Sequence, residues 1–426
     1  MLTVGSRITG KAIDVDYLGQ GIVKHEEFVI FVKGMITDEV ADIKITKLKK
    51  HFAEGVIVSL IERSNDRRHH EDEHLGSMDL IHMSDELQLL WQTKLTSDTL
   101  KKIADLDVTI EHIVTDHQFF NYRNKAVFHV MNRDQLSLGL YHEDGRGLYP
   151  IDHFVLSDSL TNHIIHILNQ AKVLIDYTTF KQIAIRTNLE GEALVTLIST
   201  KKSFRGLKQM IDVLKEIKGV IGITLNIKDM DKRILGSKSF LMYGQSVIHE
   251  KVGTFSFPVT DQSFFQINVP VINIVYEMIK KHMIKNKKVI DAYSGVGSIG
   301  YYLSDQAKEV IMIESNIDAC QMAEKVREEK HLKHVKIISG QVEKKIQEED
   351  GDILIVDPPR NGLMPELVDH MLEKDYQQIF YLSCDLKTLA RDLKRLHEKY
   401  NIKKVYPIRM FPQTTECETL VILEYK

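Results

Sequence analysis

The chain predicts an α/β protein: a doubly wound parallel sheet in the C-terminal part, preceded by a small β-barrel and an α+β middle region. Three observations carry this. From about residue 261, short apolar strands alternate with helical segments, the pattern of a parallel sheet covered by helices. Before residue 60, β-branched runs are punctuated by glycine, aspartate and lysine turns, as in barrels and sandwiches. Between the two, strand pairs mix with a helix starting at Ser84.

Residues 1–60 contain RITGKAIDV, EFVIFV, EVADIKI and GVIVSLIE. A barrel of the oligonucleotide-binding type fits that length, and a structural cap without a ligand would show the same strand spacing. Residues 61–260 form the middle region, which contributes elements to the domain that follows. SNDRRHHEDEH, Ser64 to His74, reads as an exposed linker. Ser84 is an N-cap for a helix through DELQLLWQTKL. Hairpins are expected for KAVFHVM with QLSLGLYH and for KQIAIRTN with ALVTLIST.

Residues 261–426 carry the strands KKVIDAY, EVIMI, VKIIS, DILIV and QIFYL. Helices are expected over SNIDACQMAEKVREEKHL and DLKTLARDLKRLHEKY, the latter presenting Leu386, Leu389, Leu393 and Leu396 on one face. KKVYPIRM and TLVILEY close the chain as two strands without a helix between them. A nicotinamide-binding domain does not typically end in such a hairpin.

Composition sets limits. No run of about 18 apolar residues is present, so no membrane partner is expected. MLTVGSRITGK has no long apolar stretch and predicts no signal peptide. The three cysteines, Cys320, Cys384 and Cys417, are too few and too scattered for a disulfide framework or a CxxC metal site. A cytoplasmic location is the default. A net charge of −4 argues mildly against a dedicated nucleic-acid binder, but not against a local basic groove.

Four stretches carry chemistry. In VIDAYSGVGSIG, Gly295, Gly297 and Gly300 give the G-x-G-x-x-G spacing after a strand, and Glu314 ends the next strand 19 residues after Gly295. An acid there can accept from both ribose hydroxyls of an adenosine, so the loop fits nicotinamide cofactors and S-adenosylmethionine equally. VDPPRNGL puts Asp357 at the carboxyl end of a strand, where open α/β sheets bind ligands, with Arg360 available for an anion. Cys384 in YLSCDLKTLARDL follows a strand and precedes a helix, an environment expected to favour the thiolate. Cys320, inside a predicted helix, reads as core. In FPQTTECETLVIL, Glu416 and Glu418 share one face of the last strand and Cys417 the other, making either glutamate a candidate base.

Together these residues resemble the uracil-5 RNA methyltransferase family over nearly the whole chain. FFQIN (Phe264 to Asn268), DAYSGVGSIG, ESN, DPPRNGL, SCD, LARDL and FPQTTECE occur in the family's order. The resemblance implies a TRAM-type RNA-binding barrel over 1–60 and a Rossmann-like S-adenosylmethionine methyltransferase domain over 261–426. Position by position it implies Gln266, Tyr293, Glu314 and Asp357 as cofactor-binding residues, with Ser298 and Gln341 in support. Cys384 matches the nucleophile and Glu418, not Glu416, the proton-abstracting glutamate. NYRNK, Asn121 to Lys125, matches a stretch on the RNA-facing side, giving Arg123, Asn124 and Lys125 as RNA contacts. The implied product is 5-methyluridine. 23S rRNA is preferred over tRNA because resembling members with a TRAM module mostly act there, and the enzyme is expected to be a monomer.

One departure stands out. Many rRNA-directed members carry four cysteines for an iron-sulfur cluster, whereas Leu75, Met78 and Phe154 stand at three of those positions here. No cluster is expected. A NAD-dependent oxidoreductase leaves VDPPR, Cys384 and the final hairpin unexplained. Cytosine-5 RNA methyltransferases usually have a cysteine after the paired prolines, where this chain has Arg360. An adenine-N6 or guanine-N2 methyltransferase needs no nucleophilic cysteine, and a non-enzymatic RNA-binding protein accounts for the barrel alone.

Overall fold

β1 (Arg7–Val15), β2 (Gly21–His25), β3 (Phe28–Lys33), β4 (Val40–Leu48) and β5 (Phe52–Glu62) close a barrel in the order β1-β2-β3-β5-β4. The computed structural model describes residues 2–229 and 233–426. Alternation drives the closure: Val23, Ile30, Val32, Ile43 and Ile45 point into one core while their neighbours face outward. β2 is the strand that the punctuation of the sequence hid.

The linker expectation for SNDRRHHEDEH needs correcting. Arg67 donates through Nη2 to Glu39 Oε2 at 2.8 Å, and the Glu39 side chain is fully buried. A buried carboxylate left unpaired is costly, so this charged stretch is a clamp on the barrel.

α1 (Asp85–Thr99) starts at Ser84, whose Oγ accepts from Leu87 N at 3.1 Å. The middle region then builds a sheet from β6 (Lys125–Val130), β7 (Leu138–Tyr141), β8 (Leu148–Pro150), β9 (Phe180–Thr187), β10 (Ala193–Ser199), β11 (Val220–Ile227) and β12 (Lys238–Gly244), in the order β12-β11-β10-β9-β6-β7-β8. β9 and β10 pair along their whole length, whereas β6 and β7 share only His129↔Gly139 and Val130↔Leu138. α2 (Ser159–Gln170) and α3 (Leu207–Leu214) cover one face and share its core with Phe128, Ile183 and Val195.

A separate hairpin, β13 (Ile248–Val252) with β14 (Phe255–Val259), leads into α4 (Val269–His282). The last sheet contains β15 (Lys288–Ala292), β16 (Glu309–Glu314), β17 (Val335–Ser339), β18 (Ile353–Val356), β19 (Gln378–Ser383), β20 (Tyr400–Ile408) and β21 (Glu418–Tyr425). Its order is β17-β16-β15-β18-β19-β21-β20, with β15 to β19 parallel and β21 antiparallel to β19 and β20. Around it lie α5 (Ser298–Leu303), α6 (Ile317–Glu329), α7 (Val342–Lys345), α8 (Pro365–Glu373) and α9 (Leu386–Leu396). All four leucines of the α9 stripe are buried.

Two cores sandwich this sheet. One face packs with α8, α9 and, from the middle region, Trp91, Leu100, Ala104 and Leu106. The other packs with α4 and with Ile248, Val252, Phe257 and Val259 of the hairpin. Strand order reverses between β15 and β18, and at such a switch point the carboxyl ends of the strands open a ligand crevice. Among the described residues no helix is long and apolar enough to cross a membrane.

Candidate active site

The glycine loop follows β15 and divides its work. Gly295 has φ +55°, and a Cβ added there would meet nothing within 4 Å, so its backbone borders open space. Added Cβ atoms at Gly297 and Gly300 would instead lie 2.6 Å from the Met312 side chain. The first glycine is open toward a ligand; the other two allow helix and strand to approach. Asp291 Oδ2 accepts from Gly300 N at 2.9 Å, while its buried Oδ1 has no partner among the described residues. Burial pushes the Asp291 carboxyl up to about 8.

Glu314 stands beside this loop. Its Oε2 accepts from Gly295 N at 2.9 Å and its Oε1 from Asn316 N at 2.6 Å and Ser315 Oγ at 3.2 Å. A carboxylate has about four lone-pair sites, so capacity for a further hydroxyl remains. Tyr293, at φ +61°, donates its hydroxyl to Glu343 Oε1 at 2.7 Å. Ser298 Oγ shares a hydrogen bond with Tyr276 Oη at 2.9 Å. Gln341 lies exposed at the start of α7, and the preceding Gly340 N donates to Glu314 O at 2.8 Å. The strand ends thus gather Tyr293, Ser298, Glu314 and Gln341 along one rim.

Asp357, Cys384 and Glu418 occupy the next strand ends. β19 and β21 pair Ser383 with Thr419 at the end of their ladder, and Cys384 and Glu418 are the next residue on each side of that pair. Burial, with Asp357 and Glu416 adding to it, pushes the Glu418 carboxyl up to about 8. Burial alone pushes Asp357 up to about 7. The expected thiolate is not favoured in this environment. Burial, then Glu418 and Asp357, push the Cys384 thiol up to about 11, with Arg360 opposing them. A helix terminus offers only a partial positive charge, and burial together with Glu418 and Asp357 outweighs it. Glu416, placed on the same side as Glu418, pairs with Arg360 at 2.8 Å.

Two supports have a role that the motifs alone did not give. Arg391 Nη2 donates to Asn361 O and Leu363 O, both at 3.1 Å, and Asp392 Oδ2 accepts from Leu363 N at 3.0 Å. LARDL therefore fixes the DPPRNGL turn from α9. The FPQ turn before Glu418 is held from α1: Gln88 Nε2 donates to Gln413 Oε1 at 2.7 Å, and Gln88 Oε1 accepts from Gln413 N at 3.1 Å and from buried Arg409. Gln92 Nε2 donates to Ile408 O at 2.9 Å. Gln88, Gln92 and Thr96 are fully buried at helical spacing, and a polar stripe on an otherwise inward face was the available signal.

On the middle-region side, Asn124 Nδ2 donates to Gln266 O at 3.2 Å and to Glu250 Oε1 at 3.0 Å. NYRNK and FFQIN are therefore in direct contact. Arg123 is tied through its backbone to Leu156 O at 2.9 Å, and Lys125 opens β6, paired with Arg186 of β9. Leu75, Met78 and Phe154 are buried in one hydrocarbon core.

Residues 343–426 match the model of the tRNA (Uracil-5-)-methyltransferase family, residues 272–379 the Methyltransferase small domain and residues 4–58 the TRAM domain. The chain is 32% identical to an uncharacterized RNA methyltransferase of Fusobacterium nucleatum, over 100% of this chain and 97% of that protein. It is 30% identical to one of Clostridium tetani, over 96% and 94%. In structure it is similar to the tRNA (uracil-54, C5)-methyltransferase of Pyrococcus abyssi in complex with S-adenosyl-L-homocysteine, with TM-score 0.78, 21% identity and coverage of 98% of this chain and 100% of that one.

Proposed function

Starting from the fact that this chain belongs to the uracil-5 RNA methyltransferase family, we propose that it makes 5-methyluridine in 23S rRNA, as a cytoplasmic monomer using S-adenosylmethionine. The observation that carries the chemistry is that Cys384 and Glu418 adjoin the Ser383–Thr419 pair that ends the β19–β21 ladder, with Glu418 and Asp357 both acting on the thiol.

The rim fits the methyl donor. Gly295 borders open space, and Glu314 retains acceptor capacity for a ribose hydroxyl. Gln266, Tyr293, Ser298 and Gln341 complete the set of residues that would hold it. When bound, S-adenosylmethionine supplies an electrophilic methyl group.

The protein's own residues supply the rest. Uracil C5 is a weak nucleophile. Cys384 Sγ, as thiolate, adds to C6 and makes C5 enolate-like, which is covalent activation. After C5 carries the methyl group, ionised Glu418 removes the C5 proton. The Cys384–C6 bond then breaks and the ring double bond returns. A stacked uracil exposes neither face to this chemistry, so the target base is flipped or unpaired. Arg123, Asn124 and Lys125 contact the RNA on this reading.

The rRNA preference rests on the TRAM-type barrel at the N-terminus. The reading as a tRNA methyltransferase draws support from the full-length likeness to the Pyrococcus abyssi enzyme. Mass-spectrometric mapping of 5-methyluridine in 23S rRNA and tRNA, from cells with and without the gene, separates them. Loss confined to tRNA overturns the rRNA assignment.

A further inference from the structure

We infer that Glu250 is a positioning residue for the methyl-donor site: through Asn124 it fixes the backbone of Gln266 and leaves the Gln266 amide free for the donor. This rests on the reading of Gln266 as a cofactor-binding residue and extends it to the hairpin beneath.

IHEKV, Ile248 to Val252, alternates buried and exposed residues, and Glu250 takes the buried place between Ile248 and Val252. Its cross-strand neighbour is Phe257. An apolar residue would pack there without cost, whereas a carboxylate must first be desolvated. The compensation on offer is small. Glu250 Oε1 accepts from Asn124 Nδ2 at 3.0 Å, and its buried Oε2 has no partner among the described residues. Burial pushes the Glu250 carboxyl up to about 7, with Arg186 opposing it. A buried polar group that packing does not call for points to function.

What Glu250 acts on is the FFQIN segment. Asn124 Nδ2 has two hydrogens; one goes to Glu250 Oε1 and the other to Gln266 O at 3.2 Å. With both acceptors in place, Nδ2 and not Oδ1 must face them. The Asn124 backbone N donates to Ile267 O at 3.1 Å, and Arg186 Nη2 donates to Ser263 O at 2.9 Å. Middle-region donors thus hold the Ser263, Gln266 and Ile267 carbonyls. Beyond them, Asn268 Nδ2 donates to Met410 O at 3.2 Å, just ahead of the FPQ turn. The half-buried Gln266 side chain, by contrast, makes no hydrogen bond to a described residue. A gripped backbone beneath an unengaged amide is the arrangement of a preorganised binding residue. Without Glu250 the Asn124 amide can turn away, and the Gln266 backbone loses a hold.

The test is a double-mutant cycle on S-adenosylhomocysteine affinity, measured by titration calorimetry on the full-length protein. RNA is left out, so any RNA contact of Asn124 does not enter. Q266A is expected to bind about tenfold more weakly, and E250A and N124A about fivefold each, the size of one lost hydrogen bond. E250Q, which keeps an acceptor for Asn124, should bind within about twofold of wild type. E250A/Q266A and N124A/Q266A should bind at most about twofold more weakly than Q266A, because the amide they position is already gone. A residue that only stabilised the fold would act equally with or without that amide. Losses that multiply, to about fiftyfold in the double variants, therefore overturn the positioning role. Wild-type affinity in both E250A and N124A overturns it too. Where E250A does not fold, the N124A cycle decides. Wild-type affinity in Q266A removes Gln266 from the cofactor site, and Glu250 with it. A wild-type protein that binds no S-adenosylhomocysteine overturns the methyl-donor reading itself.

Discussion

Gln88 and Gln413, 325 positions apart in the chain, join side-chain amide to side-chain amide at 2.7 Å in the buried seam between α1 and the turn that leads into β21. The same Gln88 oxygen accepts from the Gln413 backbone and from the Arg409 guanidinium. Burial pulls Arg409 down to about 10, the mark of a cation that depends on its few acceptors. Gln88→Ala removes one acceptor of a buried charge, for which about 2–3 kcal/mol is expected. Urea unfolding reads that loss. Methyl transfer falls at least tenfold, because the turn sets where Glu418 stands; wild-type activity in the variant would show that Glu418 is positioned without it.

This seam marks the boundary of what the sequence reveals. The parallel sheet, the α9 leucine stripe and the glycine loop follow from periodicity and spacing, which are local. The contacts of Gln88, Gln92, Arg409 and Gln413 are polar, buried and remote in sequence, so no spacing rule announces them. The Cys384 ionisation misled for a related reason: its helix terminus is adjacent in sequence, whereas Glu418 and Asp357 arrive through strand pairing. SNDRRHHEDEH looked solvated because its partner Glu39 lies in the barrel, 28 residues before Arg67.

Glu418 acts as base only when ionised, and its carboxyl is pushed up to about 8. The Cys384 thiol, pushed up to about 11, also ionises further as pH rises. Both effects have the same sign, so formation of released 5-methyluridine RNA under multiple turnover rises between pH 7 and pH 9. Glu418→Gln blocks proton removal after methyl transfer, so the variant accumulates a covalent RNA–protein adduct visible on a denaturing gel. A variant that turns over normally without adduct removes Glu418 from the base role.

Asp291 links the glycine loop to pH-dependent stability. Its folded-state carboxyl stands near 8, above the ordinary value of 3.8. Between about pH 4 and pH 8 the unfolded chain therefore binds fewer protons at this group, and its contribution to stability falls as pH rises, by at most about 1.4 kcal/mol per pH unit. Asp291→Asn has no charge to bury. In ligand-free protein the stability difference between variant and wild type should shift in favour of the variant from pH 5 to pH 8. A constant difference would mean that Asp291 ionises freely in the folded protein.

Leu75, Met78 and Phe154 share one hydrophobic core with Ile81, Leu136 and Ile164. Hydrocarbon packing there supports the domain. Anaerobically purified protein should contain far less than stoichiometric iron and no acid-labile sulfide. Stoichiometric iron would overturn this expectation.

Cys384 carries the proposal's central step, and a chemical trap isolates it. Addition of a thiolate to C6 of 5-fluorouracil in RNA, followed by methylation at C5, leaves fluorine where Glu418 must find a proton. Fluorine is not removed as a cation, so elimination stops and the Cys384–C6 bond persists. Wild-type protein with methyl donor and 5-fluorouridine RNA should form a stable adduct whose modified peptide contains Cys384. Cys384→Ala should form none and lose methyl transfer by at least about 10³-fold, while S-adenosylhomocysteine still binds, because the Glu314–Gly295 contact does not involve Cys384. Adduct formation at Cys417 cannot replace it: that sulfur is buried in the opposite core, with its thiol pushed up to about 12 by burial. Full methyl transfer by Cys384→Ala would refute covalent catalysis in this site and return Cys384 to a packing role.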